Sequence, residues 1–202
     1  MTEPVEFLHE FCEFGEHRGY ILWAKARKKE NDELTHSTEL IHRRVIESAD
    51  EIEYNYKLLR SMLTAHPGYE WRIYVTVNAR DLLSAYFNYR NRMNEWSEDI
   101  VRGHEPSADK ISRVDSEWRS TVHNPSNKDD QYFQFDVDEV SKDEIRMFCD
   151  ELGEHTTTEL VRETPNGYHV ISEPFNYNNF DPSIEYDSFD RDGQLHVQVF
   201  NT

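Results

Sequence analysis

The chain has 202 residues, 37% hydrophobic and 13% aromatic, which is enough apolar side chain for a real core and excludes wholesale disorder. Forty acidic residues against 22 basic ones give a net charge of −18, and only seven of the basic residues are Lys. Such a balance repels bare phosphate backbones at long range and suits a salt-rich cytoplasm, where screening mutes that repulsion, so charge alone assigns no partner.

Residues 5 to about 66 read as helical. Phe7, Leu8, Phe11 and Cys12 fall at helical spacing, and Phe14, Tyr20, Ile21, Leu22 and Trp23 carry the apolar character forward. After the polar break ENDELTHST, with Ser37 or Thr38 as N-cap, Leu40, Ile41, Val45, Ile46, Ile52, Leu58, Leu59, Met62 and Leu63 form a broad stripe of period 3.6. His66-Pro67-Gly68 ends it and marks a boundary between a helical subdomain, 1–68, and an α+β domain, 69–202.

WRIYVTVN, 71–78, alternates and is aromatic or β-branched, so it reads as a strand, followed by a helix from Ala79 to Trp96. The polar segment 97–130 holds one helix, Ala108 to Thr121. YFQFDVD, 132–138, is a second strand, and Ser141-Lys142-Asp143-Glu144 is a capping box that opens a helix over 141–152. TELVRET and GYHVISEPF, joined at Pro-Asn-Gly, read as a hairpin; SIEYDSF and QLHVQVF, joined at Asp-Arg-Asp-Gly, read as another. The fold class is α+β: a helical N-terminal region, then a ferredoxin-like or RNA-recognition-like mixed sheet with helices on one face. No apolar stretch is long enough to cross a bilayer, and MTEPVEFLHEF lacks the basic-then-apolar order of a signal peptide. Cys12 and Cys149 stand far apart, which points to a reduced, cytoplasmic setting.

Side chains on a strand alternate faces, so Asp136 and Asp138 project together, opposite Phe133, Phe135 and Val137. On later strands His169 shares a face with Ile171, and Glu185 with Asp187. Unit charges 4 Å apart repel by about 4 kcal/mol at an effective dielectric near 20. Carboxylates gathered from neighbouring strands therefore raise their own pKa values or recruit hard divalent cations such as Mg²⁺ or Mn²⁺. Tyr132 lies on the acids' face as a platform for a base, and Asn78 and Arg80, just past the first strand, are placed to reach a phosphate or template strand. Arg27-Lys28-Lys29, Arg43-Arg44 and Arg72 supply further cations.

Phe-Asp-Val-Asp at 135–138, Asn-Gly-Tyr-His at 166–169 and Asp187 in a later strand resemble, in that order, the three motifs of the archaeo-eukaryotic primase superfamily. The resemblance covers roughly residues 130 to 192. WRIYVTVNARD and ETPNGYHVISEPFN are also similar to segments of proteins from tailed bacteriophages and archaeal viruses. The family implies a nucleotidyltransferase in which Asp136, Asp138 and Asp187 hold the metals and His169 meets the triphosphate of a nucleoside triphosphate. A single-stranded DNA or RNA template, replication and a host-cell cytoplasmic setting follow from the same likeness. No zinc-binding Cys/His set accompanies the motifs. A second expectation is a catalytically silent viral protein that uses the same sheet to bind a host or replication protein, or nucleic acid. An acidic DNA mimic is a third, and a His-based hydrolase lacks its paired motifs and its Gly-x-Ser-x-Gly elbow.

Overall fold

Two antiparallel sheets carry the fold in the computed structural model, which describes residues 4–34, 40–104 and 106–202. In chain order the elements are α1 (Pro4–Phe11), β1 (Arg18–Ala26), β2 (Leu40–Ile46), α2 (Ile52–Leu63), β3 (Glu70–Thr76), β4 (Arg80–Asp81), α3 (Leu82–Val101), α4 (Pro106–Ser112), α5 (Val114–Val122), β5 (Phe133–Asp138), α6 (Lys142–Gly153), β6 (Thr158–Glu163), β7 (Gly167–Ser172), β8 (Ser188–Asp190) and β9 (Gln194–Asn201). The first sheet runs β2-β1-β3-β9, with β4 pairing β1 off that path; the second runs β6-β7-β5-β8.

The protein is α+β as expected, but five expectations need correction. Residues 18–26 and 40–46 are strands of the first sheet, not helix. A continuous apolar run such as Tyr20-Ile21-Leu22-Trp23 fits a strand buried on both faces as well as a helix, and here both faces are covered. The boundary at residue 68 therefore falls between strands that pair: β1 bonds to β3, and β3 to β9, so both halves of the chain build one sheet. The single mixed sheet is replaced by two antiparallel ones. The second hairpin also parts. β8 joins β5 in the second sheet while β9 joins β3 in the first, and the turn between them is pinned by Arg80 against Asp192 and by Gly193 against Gln134. The helix expected over 108–121 is two, α4 and α5, divided at Arg113. Ser37 and Thr38, proposed as N-caps, lie outside the described residues.

Other local signals hold. Ser141 Oγ accepts from the Glu144 N–H at 3.3 Å while Glu144 accepts from the Ser141 N–H at 2.7 Å, closing the capping box of α6. Asp81 caps α3 by accepting from Ser84 N–H at 2.9 Å. TELVRE and GYHVIS form the first hairpin, β6–β7.

One face of the first sheet, with Leu22, Ala24 and Ile73, packs on α1 and α2. On its other face Ile21 and Trp23 meet Ala85 of α3 and Val122 of α5. The second sheet buries Phe135, Val137 and Val170 under Ile145, Phe148 and Leu152 of α6. Its opposite face turns toward the first sheet, where Ile171 and Leu160 join Leu195 and Val197. No helix among the described residues is long and apolar enough to cross a membrane.

Candidate functional site

The acids at the end of β5 have their expected neighbours. Asp136 stands directly opposite His169, and Asp138 opposite Gly167, in the β5–β7 register. Gly167 permits this approach: a Cβ there would lie 2.1 Å from the Val137 carbonyl oxygen and 2.6 Å from Asp138 Cα. Immediately beyond, Glu139 takes a left-handed backbone with φ 57°, the kind of local strain that clusters at functional sites.

Asp187 precedes β8 rather than lying within it, and it reaches the same place. Its N–H donates to the Asp136 carbonyl at 2.8 Å, and its Oδ2 accepts from the Asp138 N–H at 2.8 Å. Glu185 stays exposed in the preceding loop. Three carboxylates and a histidine drawn from β5, β7 and the residue before β8 thus share one end of one sheet face. Burial pushes the Asp136 carboxyl up to about 6, reinforced by the charges of Asp138 and Asp187, while Arg27 acts in the opposite sense.

His169 is almost fully buried. Its Nδ1 accepts from the His196 backbone N–H at 3.2 Å, so the ring proton resides on Nε2, which faces Asp136 Oδ1 at 3.4 Å. Burial, and then the nearby Arg162, lowers its pKa to about 4. The contact is thus the approach of a neutral imidazole to a carboxylate and not an ion pair. A neutral, locked ring orients Asp136; it is not a cation for a triphosphate.

Cations come instead from the first sheet. Arg27 and Arg72 both pair with Glu30, Arg72 Nη2 lying 2.9 Å from Glu30 Oε1, so two guanidinium groups share one carboxylate beside His196. Sequence alone counts both arginines among the basic groups but does not set them opposite the acids, because β1 reads there as helix. For the same reason it gives no role to Trp23, Tyr74 or His196. Their placement follows only once RGYILWAKA is taken as a strand, which its continuous apolar run does not announce.

Asn78, Arg80 and Tyr132, expected at the nucleotide, are not brought to the acids. Asn78 is buried as a clamp: its Oδ1 accepts from Tyr132 N–H at 2.7 Å, and its Nδ2 donates to Tyr132 O at 3.1 Å and Arg191 O at 3.2 Å. Arg80 is fully buried against Asp192, at 2.9 and 3.1 Å. Tyr132 shares the acids' face but lies at its far end. There it lines a cavity of about 370 Å³ with Phe7, Phe11, Tyr20, Leu160 and Arg162.

Among the described residues, no three His, Cys, Asp or Glu side chains already stand as a group able to hold a metal. The donor chemistry nevertheless suits a hard divalent cation: burial and mutual repulsion hold a proton on Asp136 to about pH 6, and the three carboxylates offer the oxygen ligands that Mg²⁺ or Mn²⁺ take. Compared with protein-family models, curated proteins and solved structures, the chain matches none.

Proposed function

We propose that the protein is a primase-like nucleotidyltransferase that binds a nucleoside triphosphate through Mg²⁺ or Mn²⁺, acts on a nucleic-acid strand and works in the cytoplasm. The observation that carries this reading is the gathering of Asp136, Asp138, Asp187 and His169 at one end of a sheet face, with Asp136 holding its proton to about pH 6. Such a set suits phosphoryl transfer, which is dominated by positioning and charge neutralisation and requires no side-chain nucleophile.

The roles divide by chemistry. Asp136, Asp138 and Asp187 hold the cations, which when bound neutralise phosphate charge and acidify the attacking hydroxyl. His169, through Nε2–H, fixes the orientation of Asp136. Arg27 and Arg72, with one carboxylate between them, take phosphate oxygens, a task for which the planar guanidinium is suited.

Calorimetry with Mn²⁺ and a nucleoside triphosphate tests the reading. The wild type is expected to bind the pair, and Asp138→Asn to lose at least tenfold in affinity, about 1.4 kcal/mol, with the fold intact. Equal affinity in both proteins rejects the metal site. A wild type that binds neither leaves the second reading, a silent sheet that docks a partner protein or nucleic acid.

A further inference from the structure

The cavity beside Tyr132 takes no part in the chemistry assigned to the acids. Its volume of about 370 Å³ is that of a small-molecule site, and it opens where the two sheets meet, between α1 and β1 on one side and β6 with Tyr132 on the other. The inner wall is apolar: Phe7 and Tyr20 are buried, while Phe11, Tyr132 and Leu160 are half-buried. Phe11 meets Phe7 and Tyr20 with ring centroids 5.7 and 6.1 Å apart, whereas Tyr132 has no ring partner among the described residues.

The rim is acidic. Glu10, Glu13 and Glu159 line it, all exposed, and none has an ion-pair partner among the described residues. Two of them are held there by the fold. Glu13 is pinned through its main chain, its N–H donating to the Tyr20 hydroxyl at 3.2 Å and its carbonyl accepting from Arg18 Nε at 2.7 Å. Glu159 is the extra residue of a bulge in β6, between the pairs Thr158–Ser172 and Leu160–Ile171, and a bulge re-aims the side chain it carries.

The two arginines of the lining are already engaged. Arg18 pairs with Asp129 and Asp130 at 2.7 and 2.5 Å. Arg162 donates to the carbonyls of His196 and Val197 at 3.0 and 3.1 Å, and its guanidinium lies 3.6 Å from the Phe7 ring centroid. The unpaired charge around the cavity is therefore mainly negative. Tyr132 registers it: burial, then the charges of Asp130, Glu159 and Glu13, raises its pKa, with Arg18 acting in the opposite sense. Aromatic walls beneath such a rim attract cations, because a ring face is the negative end of its quadrupole. An anion would meet three carboxylates and find the arginine donors taken.

We propose that this cavity binds a small organic cation, an alkylammonium with an apolar body, the body lying on Phe11, Tyr132 and Leu160 and the ammonium facing Glu10, Glu13 and Glu159. Arg162 on Phe7 is the same kind of contact, made within the chain. The site is separate from the nucleotide-handling reading of the acids and does not depend on it.

The test is calorimetric titration of the full chain, without metal or nucleotide, with three probes of one shape: phenethylammonium, the neutral phenethyl alcohol and the anionic phenylacetate. The ammonium is expected to bind about tenfold more tightly than the alcohol, and phenylacetate not at all. Tyr132→Leu, which removes the ring, is expected to weaken the ammonium about tenfold, while Tyr132→Phe, which keeps it, binds as wild type. Glu13→Gln combined with Glu159→Gln is expected to lose severalfold, a loss that shrinks as salt is added. Glu98→Gln, which removes a charge from the exposed surface of α3, is expected to bind as wild type. Circular dichroism verifies folding, and the exposed Glu substitutions carry the test if Tyr132→Leu does not fold. Alcohol or phenylacetate binding as tightly as the ammonium, wild-type affinity in the paired Glu variant, or no binding of the ammonium by wild type overturns the proposal. So does a Lys-rich peptide that binds where the free ammonium does not, which assigns the cavity to a partner's side chain. With no metal or nucleotide present, these outcomes are independent of the calorimetry that tests the acids.

Discussion

The two faces of β5 differ by a single step along the chain and do opposite work. Toward α6, Phe135 is fully buried, with its ring centroid 5.1–5.6 Å from those of Phe148, Phe180, Tyr186 and Phe189, several of them edge-on. Toward the first sheet, Asp136 keeps its carboxyl among other carboxylates and a locked imidazole. Burial stabilises the fold on the first face and costs stability on the second. Strand alternation is what allows both within three residues, and a one-residue slip in register would exchange them.

The sharpest way to break the comparison is Phe135→Ala. Removing a ring from the centre of that aromatic cluster is expected to cost about 3–5 kcal/mol in chemical denaturation, enough to loosen the second sheet and the polar face with it.

Asp136→Asn is expected to act in the reverse direction. A carboxyl whose folded pKa is raised from the ordinary range near 4 to about 6 favours folding only while protonated, so its penalty is absent below about pH 4 and complete above about pH 6. The side chain is 33% exposed. Discounted for that exposure, Asp136→Asn is expected to gain about 1–2 kcal/mol at pH 7 and nothing at pH 4, while losing Mn²⁺ binding. Stability curves at the two pH values decide it. A destabilised variant at pH 7 would mean that the acids are structural. Ser141→Ala is the smallest change: it removes half of the capping box on α6 and is expected to cost about 1 kcal/mol by thermal melting, with nucleotide binding untouched.

Legibility in the sequence followed the range of the forces involved. The β5 strand, the α6 cap, the Pro-Asn-Gly hairpin and the shared face of Asp136 and Asp138 rest on alternation, capping and turn chemistry within a few residues, and all were readable. Residues 18–26 read as helix because a run such as Tyr20-Ile21-Leu22-Trp23 carries no period. Its strand character depends on β3 lying alongside, about fifty residues away. Arg80 and Asn78 looked like ligand groups because an unpaired Arg and a buried one are spelled alike; only Asp192 and the backbone of Tyr132, each brought in from across the fold, separate the two.

By itself, the sequence determined the local grammar: which residues cap, turn and alternate, and that two carboxylates leave β5 together. Tertiary structure alone decided that the chain's two halves share one sheet, that Asp187 closes on Asp138, that burial keeps His169 neutral while the His196 N–H fixes its tautomer, and that Arg27 and Arg72 gather beside His196. Side-chain alternation is set by neighbouring peptide units, whereas burial, tautomer and charge partners depend on which distant strands the hydrogen bonds bring together.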